Sequence, residues 1–93
     1  MKSIMQENKE CFVCKTTQGL ELHHCFFGSA NRKLSDVDGC TVYLCRDHHT
    51  GPYGVHCNRQ LDLSIKRQCQ TAWQEHYEKS IDDFRDRYGK SWL

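Results

Sequence analysis

The sequence predicts a small α+β fold, with a two-strand hairpin unit in front and two helices behind. Three observations carry this. LELHH (20–24) and TVYLC (41–45) read as short strands. Residues 60–93 contain one Gly and no Pro and carry apolar residues at helical steps. Residues 11–57 hold six of the seven Cys, five of the six His and the only Pro, so the two halves differ in kind.

Ninety-three residues make one domain, 1–93, with a small core that often needs a metal, a disulfide or a partner. MKSIMQENKE is polar and charged, so residues 1–10 are expected to form a flexible leader without a secretion signal or membrane span. The chain is then expected to be cytoplasmic, where clustered Cys residues more often bind metal than form disulfides. Thirteen Lys and Arg against twelve Asp and Glu give a net charge of +1, which excludes a domain that grips nucleic acid by bulk charge.

The core is expected over 11–59 and the helical extension over 60–93. Between the strands, CFFGSANRKLSDVDGC is too long for a tight turn and reads as a long loop, functional or mobile. After TVYLC, RDHHT allows one or two helical turns before GPYG (51–54) breaks them. In the extension, Leu61, Ile65, Cys69, Ala72 or Trp73, and Tyr77 share one helix face. Ser80 is placed as the N-cap of a second helix through Ile81, Phe84 and Tyr88, stopped by Gly89.

Cys11-Phe-Val-Cys14 and Cys45-Arg-Asp-His48 are two knuckles, each with two residues between its ligands. This spacing lets both pairs converge on one tetrahedral ion, and a Cys3His set is a closed, structural zinc site. It would clip strand entry to strand exit and contribute directly to folding. Buried free cysteines would explain neither the pairing nor the spacing.

Four of the six histidines stand in two adjacent pairs, His23-His24 and His48-His49. Adjacent helical residues lie about 100° apart around the axis, so His49 turns away from the ion that His48 would hold. It faces back toward His23 and His24, with His56 in reach beyond the GPYG turn. Three neutral imidazoles with open positions for water and substrate form a catalytic rather than a structural arrangement.

A strand ending in His-His, a long connection, a second strand and a short helix carrying a ligand His resembles the HNH, or ββα-metal, endonucleases. Many of these carry the same zinc knuckles. The match covers residues 11–56, and LELHH, LCRDHHTG and GVHCNR are most similar to small phage HNH proteins of the recombination-enhancement, RecA-dependent nuclease type. The resemblance implies a zinc-stabilised ββα-metal unit followed by the two helices. It implies His23 as the first ligand of the catalytic ion, His49 as the second, His56 as the third, and His24 as the general base. It also implies DNA as substrate, with 3′-hydroxyl and 5′-phosphate ends, in a phage-infected or prophage-carrying bacterial host, and a RecA-like filament as a recruiting partner. The catalytic ion is left open among Mg2+, Mn2+, Ni2+ and Zn2+; three imidazoles favour the softer ions.

Where the family has its central Asn, nine residues before the helix His, this chain has Cys40. Asn31, Asp38 or a loop carbonyl is the available substitute. Arg32, Lys33 and Arg59, and behind them Lys66 and Arg67, are candidate phosphate contacts. The competing class is a catalytically silent zinc-ribbon module that binds DNA or protein. A metal-handling or redox role is the third, motivated by the spare Cys25, Cys40, Cys57 and Cys69, which are more simply small buried hydrophobes.

Overall fold

The computed structural model describes residues 2–93. Its elements in chain order are β1 (Leu20–His24), α1 (Ser29–Asp38), β2 (Thr41–Cys45), α2 (Arg46–His49), α3 (Arg59–Tyr77) and α4 (Ile81–Tyr88). The fold is α+β: β1 and β2 pair antiparallel, from Leu20 opposite Cys45 to His24 opposite Thr41. The two strands fall where the alternating, β-branched and aromatic composition places them.

The segment between the strands is not a loop. Ten of its residues form α1, which starts after Gly28 and stops at Gly39, whose left-handed φ of 76° lets its N–H bond the Ser35 carbonyl. Its buried side includes Ser35 and Asp38 rather than an apolar stripe, which is why periodicity does not announce it. Each of these polar groups is satisfied. Ser35 Oγ donates to the Phe26 carbonyl at 2.7 Å and accepts from the Phe26 N–H at 3.3 Å. Asp38 accepts from Trp73 Nε1, the Tyr88 hydroxyl and both Nε and an Nη of Arg87, all at 2.6–2.9 Å. One carboxylate therefore ties α1 to α3 and α4.

Residues 3–6 also differ from a free leader. The Ile4 N–H bonds the Gly39 carbonyl at 2.9 Å, the Gln6 side chain accepts from the Tyr43 N–H at 2.7 Å, and Ile4 and Met5 pack on the core. They cover the outer edge of β2, which would otherwise present unpaired backbone groups.

The helical half follows its sequence signals. Asn58 caps α3 by accepting from the Leu61 N–H. Ser80 and Asp83 form a reciprocal capping box on α4, and Gly89 ends it at a φ of 91°. Ile65, Cys69 and Trp73 of α3 and Phe84 and Tyr88 of α4 are buried, whereas Ile81 stays exposed. Phe26, the second residue after β1, enters this aromatic core 5.1 Å from the Phe84 ring and 4.7 Å from Tyr88. The hairpin is thus fixed to the helices just beyond His24.

Candidate metal centres

The two knuckles meet. Cys11, Cys14, Cys45 and His48 bring one ligand atom each within 4.8 Å of one another. Cys14 Sγ lies 3.7 Å from Cys45 Sγ, and His48 Nδ1 lies 3.1 Å from Cys45 Sγ and 3.8 Å from Cys11 Sγ. A tetrahedron with Zn–S bonds of about 2.3 Å has an edge of about 3.8 Å, so the spacing suits a single ion. Local structure creates it: α2 begins directly after β2, putting Cys45 at its N-cap and His48 one turn on. The first knuckle folds back on β2 through the Phe12 N–H to Tyr43 carbonyl bond.

The acid–base chemistry of the knuckles favours a cation. Burial opposes ionisation of Cys11, but the backbone groups of Cys14, Cys45 and Val13 outweigh it and lower its thiol to about 6, with the Cys14 side chain adding to the effect. Burial pushes the Cys45 thiol up, the His48 backbone N–H works against that, and the neighbouring Cys14 and Cys11 sulfurs raise it further. Sulfurs that compete for charge in this way need a positive ion among them to be thiolates together.

A second cluster lies across the His48–His49 peptide bond. His23, His49 and His56 place one ring nitrogen each within 4.8 Å of one another. The His49 and His56 Nε2 atoms are 3.2 Å apart. The edge expected between two nitrogens each about 2.0–2.1 Å from one ion is about 3.0–3.4 Å. His23 is 3 % exposed and its Nε2 has no hydrogen-bond partner. A buried, orphaned imidazole nitrogen aimed at two others is the observation that fits this trio to an ion. Burial, then the charges of His49, His56 and Lys66, lower His23 to about 3, so it stays neutral with its lone pair free at cellular pH.

Glu21, two residues before His23 and on the same strand face, accepts from His49 Nδ1–H at 2.9 Å. This fixes the tautomer that turns His49 Nε2 to the cluster. The turn after α2 supplies the third imidazole. The Val55 and His56 N–H groups bond the His48 and His49 carbonyls, and a Cβ on Gly54 would stand 2.5 Å from the His49 carbonyl oxygen. GPYG therefore does more than end the helix; its glycine lets the chain fold tightly back over α2 and return His56 to the site.

His24 is not part of the trio. Strand alternation sends it to the other face, where its Nε2–H donates to Asp36 on α1 at 3.2 Å. Its ring still borders the cavity of about 230 Å³ that opens on His23, His49 and His56, together with Leu22, Phe27 and Arg32.

The other expected site residues separate. Arg32 borders the cavity, but Lys33 and Arg59, both exposed, do not. Lys66 is no free phosphate contact: it is buried, bonds Asp62 at 2.8 Å and stands over the Phe27 ring. Arg67 donates to the Trp92 carbonyl. Neither Asn31 nor Asp38 is free to serve as the brace that the HNH resemblance leads one to expect. Asn31 bonds the Tyr88 carbonyl, and Asp38 is held by Arg87, Trp73 and Tyr88. Cys40 is buried beside the Tyr88 hydroxyl. Cys25 and Cys40, with burial, push the Cys69 thiol far up, so Cys69 stays protonated; all three are buried and pack as small hydrophobes, whereas Cys57 is exposed.

The sequence reading missed Glu21 and Asp36. Glu21 had a signal, its i−2 position to His23 on one strand face. Asp36 had none, because its approach to His24 depends on α1. No family model, curated protein or solved structure matches this chain. Among the described residues, no helix is long and apolar enough to cross a membrane.

Proposed function

We propose that this chain is a metal-dependent endonuclease of the HNH type, hydrolysing DNA phosphodiester bonds, with a structural zinc on Cys11, Cys14, Cys45 and His48. One observation carries the reading. Three imidazoles converge on an open cavity while a fourth, His24, stands at its edge with one nitrogen already hydrogen-bonded to a carboxylate.

The residues divide the work. His23, His49 and His56 would hold a divalent ion, which supplies charge neutralisation at the scissile phosphate. Arg32 positions a phosphate at the cavity mouth. With Nε2–H donated to Asp36, His24 keeps its Nδ1 lone pair to take a proton from water. The resulting hydroxide attacks phosphorus, the P–O3′ bond breaks, and the 3′ oxygen is protonated by solvent. Asp36 is the group in this chain that orients the base, in place of the Asn that Cys40 replaces. A net charge of +1 leaves bare affinity for DNA weak and salt-sensitive, which suits recruitment by a partner such as a RecA-like filament in a phage-infected cell.

The test is nicking of plasmid DNA in Mg2+, Mn2+, Ni2+ and Zn2+ by the wild type and by His24→Ala. The variant is expected to lose about 10²–10⁴-fold in rate while keeping its metal content and fold. Equal nicking by both proteins removes His24 as base. No nicking by the wild type with any ion favours the second reading, a zinc module that binds DNA or protein. Its support is Cys40, which is packed into the core where the family carries a polar brace.

A further inference from the structure

Phe26 and Phe27 are adjacent and treated oppositely. Phe26 is wholly buried in the aromatic core, whereas Phe27 is 43 % exposed. A single exposed aromatic ring is ordinary on a protein surface. This one is not simply exposed, for its surroundings hold it in place. Its ring lies 6.0 Å from the His23 ring and 5.7 Å from the His56 ring, two of the three imidazoles of the open centre. The Lys66 ammonium stands 4.0 Å from its centroid and is itself buried and bonded to Asp62. A buried cation on a ring is a fixed clamp. Phe27 also borders the histidine cavity beside Arg32.

We propose that Phe27 is a stacking platform for one unpaired nucleobase next to the phosphate held at the histidine centre, so that the enzyme acts on unpaired DNA in preference to intact duplex. The inference rests on the nuclease reading of the same cavity. A phosphate beside Arg32 and the three imidazoles leaves the base of the same or the next nucleotide within reach of the Phe27 ring. Stacking on an aromatic side chain is sequence-tolerant, because every base has a π face. A base inside a duplex already spends that face on its neighbours, and withdrawing it costs free energy that an unpaired base does not spend. Phe27 thereby sets which DNA structure is cut without reading its sequence.

The experiment compares three end-labelled substrates of one sequence: a single strand, the perfect duplex, and the duplex with a central unpaired stretch. The metal-loaded wild type is expected to cut the single strand and the unpaired stretch at least about 10-fold faster than the duplex. Phe27→Leu keeps apolar bulk at the position and is expected to bring that ratio below about twofold, whereas Phe27→Trp retains it. A second arm uses His24→Ala and 2-aminopurine in the single strand, whose fluorescence falls when the base stacks. Quenching is expected when Phe27 is present and is expected to vanish when Phe27→Leu is added to the same background. A wild type that prefers duplex, or a Phe27→Leu protein that keeps the preference or the quenching, overturns the proposal. A wild type that cuts nothing overturns the nuclease reading, and the quenching arm then decides the stacking on its own.

Discussion

Glu21 accepts the Nδ1 proton of His49 at 2.9 Å, from the same face of β1 that carries His23. A carboxylate only accepts, so in the neutral ring the bond places the proton on Nδ1 and leaves Nε2, 3.2 Å from the His56 Nε2, as the atom open to an ion. Glu21→Gln is expected to weaken divalent-ion binding at the histidine trio about 10–100-fold. The Cys3His cluster, on the other side of His49, is expected to keep its ion. Competition titration with a chelating dye separates the two sites. Unchanged affinity at the weaker site would show that Glu21 is only a surface partner.

The two centres are expected to fail differently. Stripping an ion from Cys11, Cys14, Cys45 and His48 with a strong chelator is expected to unfold the hairpin end of the chain, because the four donors tie the first knuckle to β2 and α2 beside a core that is small in so short a chain. Cys45→Ala should cost several kcal/mol and lower the melting temperature by more than about 10 °C. His56→Ala, on the exposed side of the trio, should take one ion away and leave the melting temperature within a few degrees. Metal analysis combined with circular dichroism distinguishes these results, and equal loss of fold in both variants contradicts the division.

In the proposed nuclease mechanism Asp36 acts through His24, whose Nε2–H it accepts at 3.2 Å. Asp36→Ala is expected to lower kcat about 10-fold with little change in KM or metal content, and Asp36→Asn to restore part of the loss, since an amide oxygen still accepts from Nε2–H. An Asp36→Ala enzyme with wild-type kcat removes it from the mechanism.

With an ion at Cys11, Cys14, Cys45 and His48 and none at the histidine trio, acid should unfold the protein in two overlapping windows. His23 is lowered from 6.5 to about 3 by burial and the neighbouring His charges, so the unfolded chain takes up its proton first. Stability is full above pH 6.5 and falls as pH drops toward 3. Burial pushes the Asp38 carboxyl up, but the bonds from Arg87, Tyr88 and Trp73 outweigh it and hold the group below its ordinary 3.8. Its share is present above that pH and lost as the acid overtakes the folded value. Urea midpoints across about pH 3–7 measure both. Asp38→Asn should cost about 2–4 kcal/mol at neutral pH and flatten only the lower window. A variant curve parallel to the wild type throughout would contradict the assignment.

What the sequence made readable was whatever depends on local spacing. The i,i+3 knuckles, the turn of about 100° between His48 and His49, the strand alternation of His23 and His24, and the caps at Ser80 and Gly89 are all matters of a few residues. Groups that depend on distant packing stayed hidden. Helix α1 buries Ser35 and Asp38 through hydrogen bonds to Phe26, Trp73, Arg87 and Tyr88, so no apolar period marks it. Lys66 read as a surface charge because nothing near it in sequence foretells Phe27 above it. The polar N-terminal residues read as loose for the same reason: their partners Gly39 and Tyr43 lie more than thirty residues away.

The peptide bond between His48 and His49 is the whole partition between the two centres. One inserted residue would swing His49 through about 100°, away from Glu21, His23 and His56, while leaving the knuckle intact. A single added codon at this junction would therefore leave the four-donor cluster assembled and the second centre dismantled.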